Sequence, residues 1–314
     1  MGESVFGMKP QTILVAGVRP GIGATALATL LWSRIRPCAA SLVLLRPEGV
    51  PSPLRAALEL GEPDRQPLEG RDQARITESC FGCGSCALLC RFGAIRRTPA
   101  RPGVPSLSDA GSRPVAWSVD PLSCTGCGVC ARFCPSGAIV LCPPVIGSLG
   151  IFTRAARNTS VVAAALEPGR EPDLKTSLRL IREGRSLAAA EPGSPVFVSG
   201  VSAASPLFPD LCGESSQLLL VTTPVAGAAR HLETAIGHAR ARTGTIRIVI
   251  ALPEQAPEAA ADLADLCRAH GLDSLQGLSR SERLHESLRD GHALARVLEE
   301  SPTSAAVDYI LSII

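Results

Sequence analysis

Eight cysteines fall into two quartets with one spacing, C-x2-C-x2-C-x3-C: Cys80, Cys83, Cys86 and Cys90, then Cys124, Cys127, Cys130 and Cys134, the last followed by Pro135. No other feature restricts the fold so severely. In such a loop three thiolates sit on one tight turn around a cubane face, while the fourth starts the following helix and points at the other centre. The spacing therefore predicts crossed ligation. Cys80, Cys83, Cys86 and Cys134 would hold one [4Fe-4S] cluster, and Cys124, Cys127, Cys130 and Cys90 the second.

Gly82, Gly84, Gly126 and Gly128 lie between these ligands, where small residues let the backbone close on a cluster and offer N–H donors to its sulfurs. Each loop is then echoed: Arg91-Phe92-Gly93-Ala94-Ile95 and Pro135-Ser136-Gly137-Ala138-Ile139 follow the fourth cysteines at matching offsets. The region reads as a duplication whose step, from Cys80 to Cys124, is 44 residues. From about Ala74 to Cys142 it resembles the bacterial-type two-cluster ferredoxins. It departs from them at Arg91, which stands where a proline follows the fourth cysteine, and this charge would tune a potential or mark a docking surface. Zinc would leave two thiols of each quartet without a role, and thiols so crowded on one turn cannot all pair as disulfides.

The chain has 314 residues, enough for one large and one small domain, and 46% of them are hydrophobic. Positive charge is almost all arginine, with Lys9 and Lys175 the only lysines, and the net charge is +2. Such a thin balance gives no basic stripe for nucleic acid. No apolar run is long enough for a membrane span, and Met1 to Pro10 lacks a signal-peptide pattern, so a cytoplasmic protein with reduced thiols is expected.

Before the cysteines, Thr12-Ile13-Leu14-Val15-Ala16 enters the turn Gly17-Val18-Arg19-Pro20-Gly21-Ile22-Gly23-Ala24-Thr25 and then an apolar helical pattern from Leu27 to Ile35. Strand, glycine loop and helix are the context a phosphate loop requires. The stretch resembles the deviant P-loop of the MinD/ParA ATPases, specifically the members with a ferredoxin module after the second strand, here Ser41 to Leu45. The resemblance puts Arg19 at the family's signature lysine, and Gly21, Gly23 and Thr25 at two loop glycines and the magnesium-binding hydroxyl. It also exposes losses. Ala24 stands for the lysine that reaches the β- and γ-phosphates, and Pro20 for the first loop glycine. Of two acidic positions after the second strand only Glu48 remains, beside Arg46. Ser199 replaces the metal-side aspartate at the end of the strand Pro195 to Ser199, and Ala251-Leu252 replace the base-recognising pair after Ile246 to Ala251. ATP and magnesium are the ligands the resemblance implies, and these losses argue against both. A tight β-α turn is the preferred reading of the loop, with backbone N–H groups from Gly21 to Thr25 still able to hold an anion.

The expected fold class is α/β: a parallel sheet with helices on both faces, MinD-like, carrying an inserted α+β dicluster ferredoxin domain. The expected divisions are 1–73, 74–145 and 146–314. Pro47 to Gln73 reads as irregular apart from a helical patch at Ser52 to Leu60, and Arg96 to Ser118, with four prolines, as a surface loop followed closely by the strand Ala116 to Val119. Strands at Ser160 to Leu166 and Gln217 to Val221 alternate with helices at Asp173 to Ala189 and Ala226 to Arg242. Outer helices are expected at Asp262 to His270 and Ser281 to Leu288. Lys175 could match a family lysine beside the nucleotide, but a solvated helix residue is the preferred reading. Cys38, Cys142 and Cys212 read as buried or incidental thiols. Cys267 and His270 could share a metal but make no site alone, and His231, His238, His285 and His292 form no metal motif. The apolar tail from Thr303 to Ile314 invites comparison with MinD's membrane helix, yet it has no basic residue on its polar face, so packing on the core is expected.

The function implied is an iron-sulfur electron carrier that relays single electrons through two [4Fe-4S] clusters to a redox enzyme or another electron-transfer protein, docked near Arg91 or the Arg96 to Ser118 loop. A homodimer is what the family implies. No enzyme is expected, with ATP hydrolysis lost. The alternatives are an active ATPase that gates electron flow, opposed by Ala24 and Ser199, a cluster-assembly scaffold, for which Cys212 and Cys267 supply no C-x2-C pair, and a purely structural subunit with buried clusters.

Overall fold

The apolar run near the start forms strand β1 (Thr12–Gly17), with all six residues buried. It feeds α1 (Ala24–Arg34) through Gly23, whose left-handed backbone caps the helix. The computed structural model describes residues 10–35, 39–99, 115–154, 159–251, 253–278 and 303–314. Then come β2 (Ser41–Leu44), α2 (Ser52–Ala57), β3 (Asp64–Glu69), β4 (Gln73–Ile76), α3 (Ser85–Leu89), β5 (Ile95–Pro99), β6 (Val115–Val119), α4 (Val129–Arg132), β7 (Ile139–Cys142) and β8 (Val145–Arg154). The chain continues through β9 (Thr159–Leu166), α5 (Leu174–Ala188), β10 (Val196–Ser199), α6 (Phe208–Gly213), β11 (Gln217–Thr222), α7 (Ala228–Arg240), β12 (Thr245–Ala251), α8 (Pro257–Ala269), β13 (Ser274–Leu278) and α9 (Thr303–Ile313).

Two units separate. One comprises Met1–Gln66, Ser148–Leu166 and Glu171–Ile314, the other Pro67–Gly147 and Glu167–Arg170. The larger is built on a sheet ordered β13-β12-β11-β1-β10-β2-β9-β8-β3. Every pair from β13 to β9 is parallel. Because successive strand residues face opposite ways, the buried set divides cleanly. Ile13, Val15, Leu42, Leu44, Phe197, Leu219 and Val249 pack with Leu27, Leu31 and Trp32 of α1 and with Val307 and Ile310 of α9. On the other face α5 approaches so closely that a Cβ on Gly184 would lie 2.5 Å from Val43 Cγ2. Helices thus cover both faces, as the apolar strands require.

The tail packs on the core as the sequence predicts. Val307 and Ile310 are buried, Arg34 pairs with Asp308 at 2.8 Å, and the Ile314 carbonyl accepts from Gln11 and Gln217. Among the described residues no helix is long and apolar enough to cross a membrane.

Two expectations need correction, and one strand, β8, was not foreseen. The stretch after α2 is not irregular: β3 forms there, and its Pro67 is tolerated because β3 is the edge strand of the order. β8, ten residues with two glycines, had no periodic apolar signal. The strand expected at Ala116 to Val119 forms as β6, but the start of the Arg96 to Ser118 loop is regular too, since β5 pairs antiparallel with β6 from Ile95↔Val119 to Pro99↔Val115. Pro99 closes its strand, where a missing N–H costs least. Pro102, Pro105 and Pro114 lie outside the described residues, as do Cys38, Leu252, the expected helix Ser281 to Leu288, His285 and His292.

Candidate iron-sulfur and phosphate-loop sites

The smaller unit is two copies of one device: a strand, a cysteine loop, a short helix and a second strand. β4 leads to the first loop and pairs with β7, which follows the second; β5, after the first loop, pairs with β6, before the second. The loops superimpose in their backbone angles. Gly84 and Gly128, at φ +78 and +77, begin α3 and α4 in the left-handed region that a side chain disfavours. Gly126 is required for space as well, because a Cβ there would collide with the carbonyl oxygen of Asp72. Ala94 and Ile95 are buried at one end of the repeat just as Ala138 and Ile139 are at the other.

The thiols are graded by depth. Cys86 is buried, whereas Cys83 and Cys127, the equivalent second cysteines, are exposed. Burial pushes the Cys86 thiol up, and the neighbouring thiols of Cys80 and Cys83 add to this. Cys130 is raised in the same way, with Cys124 and Cys127 beside it. The fourth cysteines sit in N–H-rich turns instead. The Ala94 amide donates to Cys90 Sγ at 3.4 Å. At Cys134, burial, which acts to raise the pKa, is outweighed by the Ser136 hydroxyl and the amides that follow, so this thiol titrates below its ordinary value.

Cys90 lines one small apolar cavity together with Cys124, Cys127 and Cys130, between Leu89, Phe92, Val129 and Leu141. Cys134 packs with Cys86 and Cys90 against Ala74, Ile95 and Ile139. Among the described residues no three His, Cys, Asp or Glu side chains close on a point that would hold a single metal ion. A cubane asks for something else: four thiolates each reaching a different iron, an apolar wall and backbone N–H groups nearby. Four cysteines around one apolar cavity, with Gly126 and Gly128 in its wall, fit that group.

The glycine loop after β1 lines a second, larger cavity of about 530 Å³. Arg19 to Ala26 form one side, with Arg46, Glu171, Gly200, Ser202 and Ser205 around them. The loop is tight enough that a Cβ on Gly17 would lie 2.6 Å from the Arg19 carbonyl oxygen. Arg19, Gly21, Gly23 and Thr25 therefore share one cavity. Thr25 has a partner already: Ser199 Oγ donates to Thr25 Oγ1 at 3.3 Å, at the position where the resemblance implies a carboxylate. Glu48 does not line the cavity. It pairs with Arg46, and its carboxyl is held below the usual range because its backbone bond and Arg46 together outweigh the opposing effect of burial. The sequence reading missed Glu171, Ser202 and Ser205. Their signal was positional, since they follow the carboxyl ends of β9 and β10, where open parallel sheets gather their sites.

Two thiols outside the quartets, Cys212 and Cys267, are buried. Burial pushes Cys212 up to about 12 and Cys267 to about 11.

Comparison with known proteins finds similarity at two levels, in one segment of the sequence and in the fold of nearly the whole chain. Residues 79–138 match the model of the 4Fe-4S dicluster domain. No curated protein sequence matches the chain. Among solved structures, a ParA family ATPase from Chlorobium tepidum TLS is similar with a TM-score of 0.51 at 10% identity, over 97% of this chain and 99% of that one. The MinC:MinD cell division complex of Aquifex aeolicus gives 0.51 at 10%, over 95% and 93%, and MinD of the same organism 0.50 at 10%, over 95% and 94%. Identities this low speak for the fold and nothing finer.

Proposed function

We propose that this chain, a ParA/MinD-type fold carrying a 4Fe-4S dicluster domain, is an electron-transfer protein with two [4Fe-4S] centres and a phosphate loop that no longer hydrolyses ATP. The observation that carries the reading is Cys90 in the same cavity as Cys124, Cys127 and Cys130, three of them from one repeat and the fourth from the other. By the symmetry of the repeat, Cys134 joins Cys80, Cys83 and Cys86. Residues 74–145 are the inserted module in this reading. Each cluster, when bound, accepts and returns one electron at a time.

The chain's own residues supply the rest. Leu89, Phe92, Val129 and Leu141 give the second site an apolar wall, while Gly126 and Gly128 let backbone come near it. The exposed Cys83 and Cys127 bring one ligand of each set to the surface, where a redox partner can approach. In the larger unit, the amides from Gly21 to Thr25 at the start of α1 favour an anion. The charge that phosphoryl transfer must neutralise has no lysine at position 24 and no carboxylate at 199 to meet it. Anaerobic purification with iron and sulfide analysis tests the proposal, which expects about eight of each per chain from two four-cysteine sites. Stoichiometric zinc with no visible charge-transfer absorption ends it.

A further inference from the structure

The duplication aligns two residues whose side chains have no place among the ligands. Gln73, at the start of β4, and Trp117, in β6, each precede the first cysteine of the following loop by the same interval of seven residues, Gln73 to Cys80 and Trp117 to Cys124. Both carry an N–H donor, and both direct it to the opposite half. Trp117 Nε1 donates to the Gly82 carbonyl inside the first loop at 3.1 Å. Gln73 Nε2 donates to the Pro121 carbonyl at 2.6 Å, and at 3.5 Å to that of Cys124, at the entrance of the second loop. The surrounding contacts follow the same exchange. The Trp117 ring lies against Gly84, where a Cβ would come within 2.8 Å of Cζ2, and the Asp72 carbonyl presses on Gly126.

We infer that Gln73 and Trp117 are a reciprocal pair of positioning residues, each fixing the cysteine loop of the other half and so the amides that loop turns toward its cluster. A trans peptide is planar with its C=O and N–H opposed, so holding the Gly82 carbonyl fixes the direction of the Cys83 N–H, and holding the Cys124 carbonyl fixes that of Thr125. Amide donors near cluster sulfurs stabilise the more negative, reduced form and raise its potential. Gln73 is only 7% exposed, so water is poorly placed to replace its N–H when it is lost. The exchange of donors runs parallel to the exchange of fourth cysteines, and it rests on the iron-sulfur reading above.

The test is a redox titration of the anaerobic full-length protein followed by electron paramagnetic resonance, with the two signals assigned beforehand by their loss in Cys80→Ala and Cys124→Ala. Trp117→Phe keeps the ring and removes the donor. It is expected to lower the potential of the first-loop centre, or to empty that centre alone, although Trp117 lies in sequence next to the second loop. Gln73→Met, nearly isosteric and without a donor, is expected to do the same to the second-loop centre. Trp117→His, which restores a ring N–H, is expected to recover part of the first shift. Effects confined to the nearer loop, equal effects on both centres, loss of both, or no shift in either variant overturn the inference. Absence of both signals from the unaltered protein refutes instead the iron-sulfur reading beneath it.

Discussion

The cysteine loops and the phosphate-type loop are built alike, with a strand running into a glycine-shaped turn that delivers backbone amides at the start of a helix. They differ in what the side chains retain. In the insert both cysteine quartets are complete and the glycines of the two halves repeat almost angle for angle. In the larger unit Gly21 and Gly23 are left-handed too, while Ala24 and Ser199 stand where the ParA/MinD resemblance implies charge. Backbone shape survives because the sheet demands it: Gly17 and Gly200 both abut other backbone, with a Cβ on Gly200 only 2.8 Å from the Leu45 carbonyl oxygen. Chemistry has no such structural insurance. A fold thus testifies to its own packing, and a function has to be argued from the donors that remain.

The contrast breaks most visibly at the fourth cysteines. If the ligands cross, Cys134→Ala removes the centre that Cys80→Ala removes, and Cys90→Ala removes the one that Cys124→Ala removes, each with a loss of about four iron per chain, one cubane's worth. Iron analysis and the spin signals read this directly. Cys134→Ala behaving like Cys124→Ala would show each loop holding its own cluster.

A smaller but still large effect is expected from Gly126→Ala. A new Cβ meets the backbone oxygen of Asp72, which cannot swing aside, so the second centre should be lost from a protein that otherwise folds. Gly137→Ala is the control. It has a similar positive φ of +63 with open space around it, and should cost only the conformational penalty of about 1–2 kcal/mol. Equal behaviour of the two variants in thermal melts and iron content would mean that close approach plays no part in shaping the loop.

The two populations of cysteine sharpen the comparison by pH. In chelator-stripped protein, Cys83 and Cys127 are exposed and should alkylate readily, while Cys212 and Cys267 should resist until the chain unfolds. Their folded pKa values, about 12 and about 11, lie above the ordinary 9.0. The sign follows: stability from burying these thiols neutral is complete below pH 9 and declines as pH rises through the folded values, because the unfolded chain ionises first. Denaturant titrations across that alkaline range, compared with a Cys212→Ala, Cys267→Ala double variant, should show the steeper loss in the unaltered protein.

How much of this was legible in the sequence depended on range. The buried parallel strands β1, β2, β9, β10, β11 and β12 announced themselves as apolar runs, and the cysteine quartets as spacing, because both signals are local. β3 was hidden by its polar edge character and Pro67, since an edge strand with one side unpaired needs no continuous apolar run. The crossed contacts of Gln73 and Trp117 were hidden for another reason. Their partners are 48 and 35 residues away, and no periodicity encodes a hydrogen bond at that distance. Arg46 illustrates the same limit. Its presence was plain, but its capture of Glu48 away from the cavity belongs to the folded chain.

The smallest expected effect concerns the phosphate-type loop, and it decides whether that loop is a relic of chemistry or a working site. No magnesium-dependent ATP turnover above background is expected, with or without an electron donor, and Arg19→Ala should change nothing in that assay. Ser199 is fully buried and its hydroxyl donates to Thr25, so Ser199→Ala should cost about 1 kcal/mol in a denaturant titration, the usual net worth of one such bond. Ser199→Asp probes the same position from the other side. It returns a carboxylate beside Thr25, but position 24 still offers no cation, so it should destabilise through a buried unpaired charge without producing hydrolysis. Robust turnover in the unaltered protein that disappears in Arg19→Ala would reverse the assignment and make the larger unit a motor rather than a frame. A stability loss in Ser199→Ala without turnover in any variant fixes the opposite conclusion, that a hydrogen bond now holds together the end of β10 and the start of α1 where the ParA/MinD resemblance implies a metal.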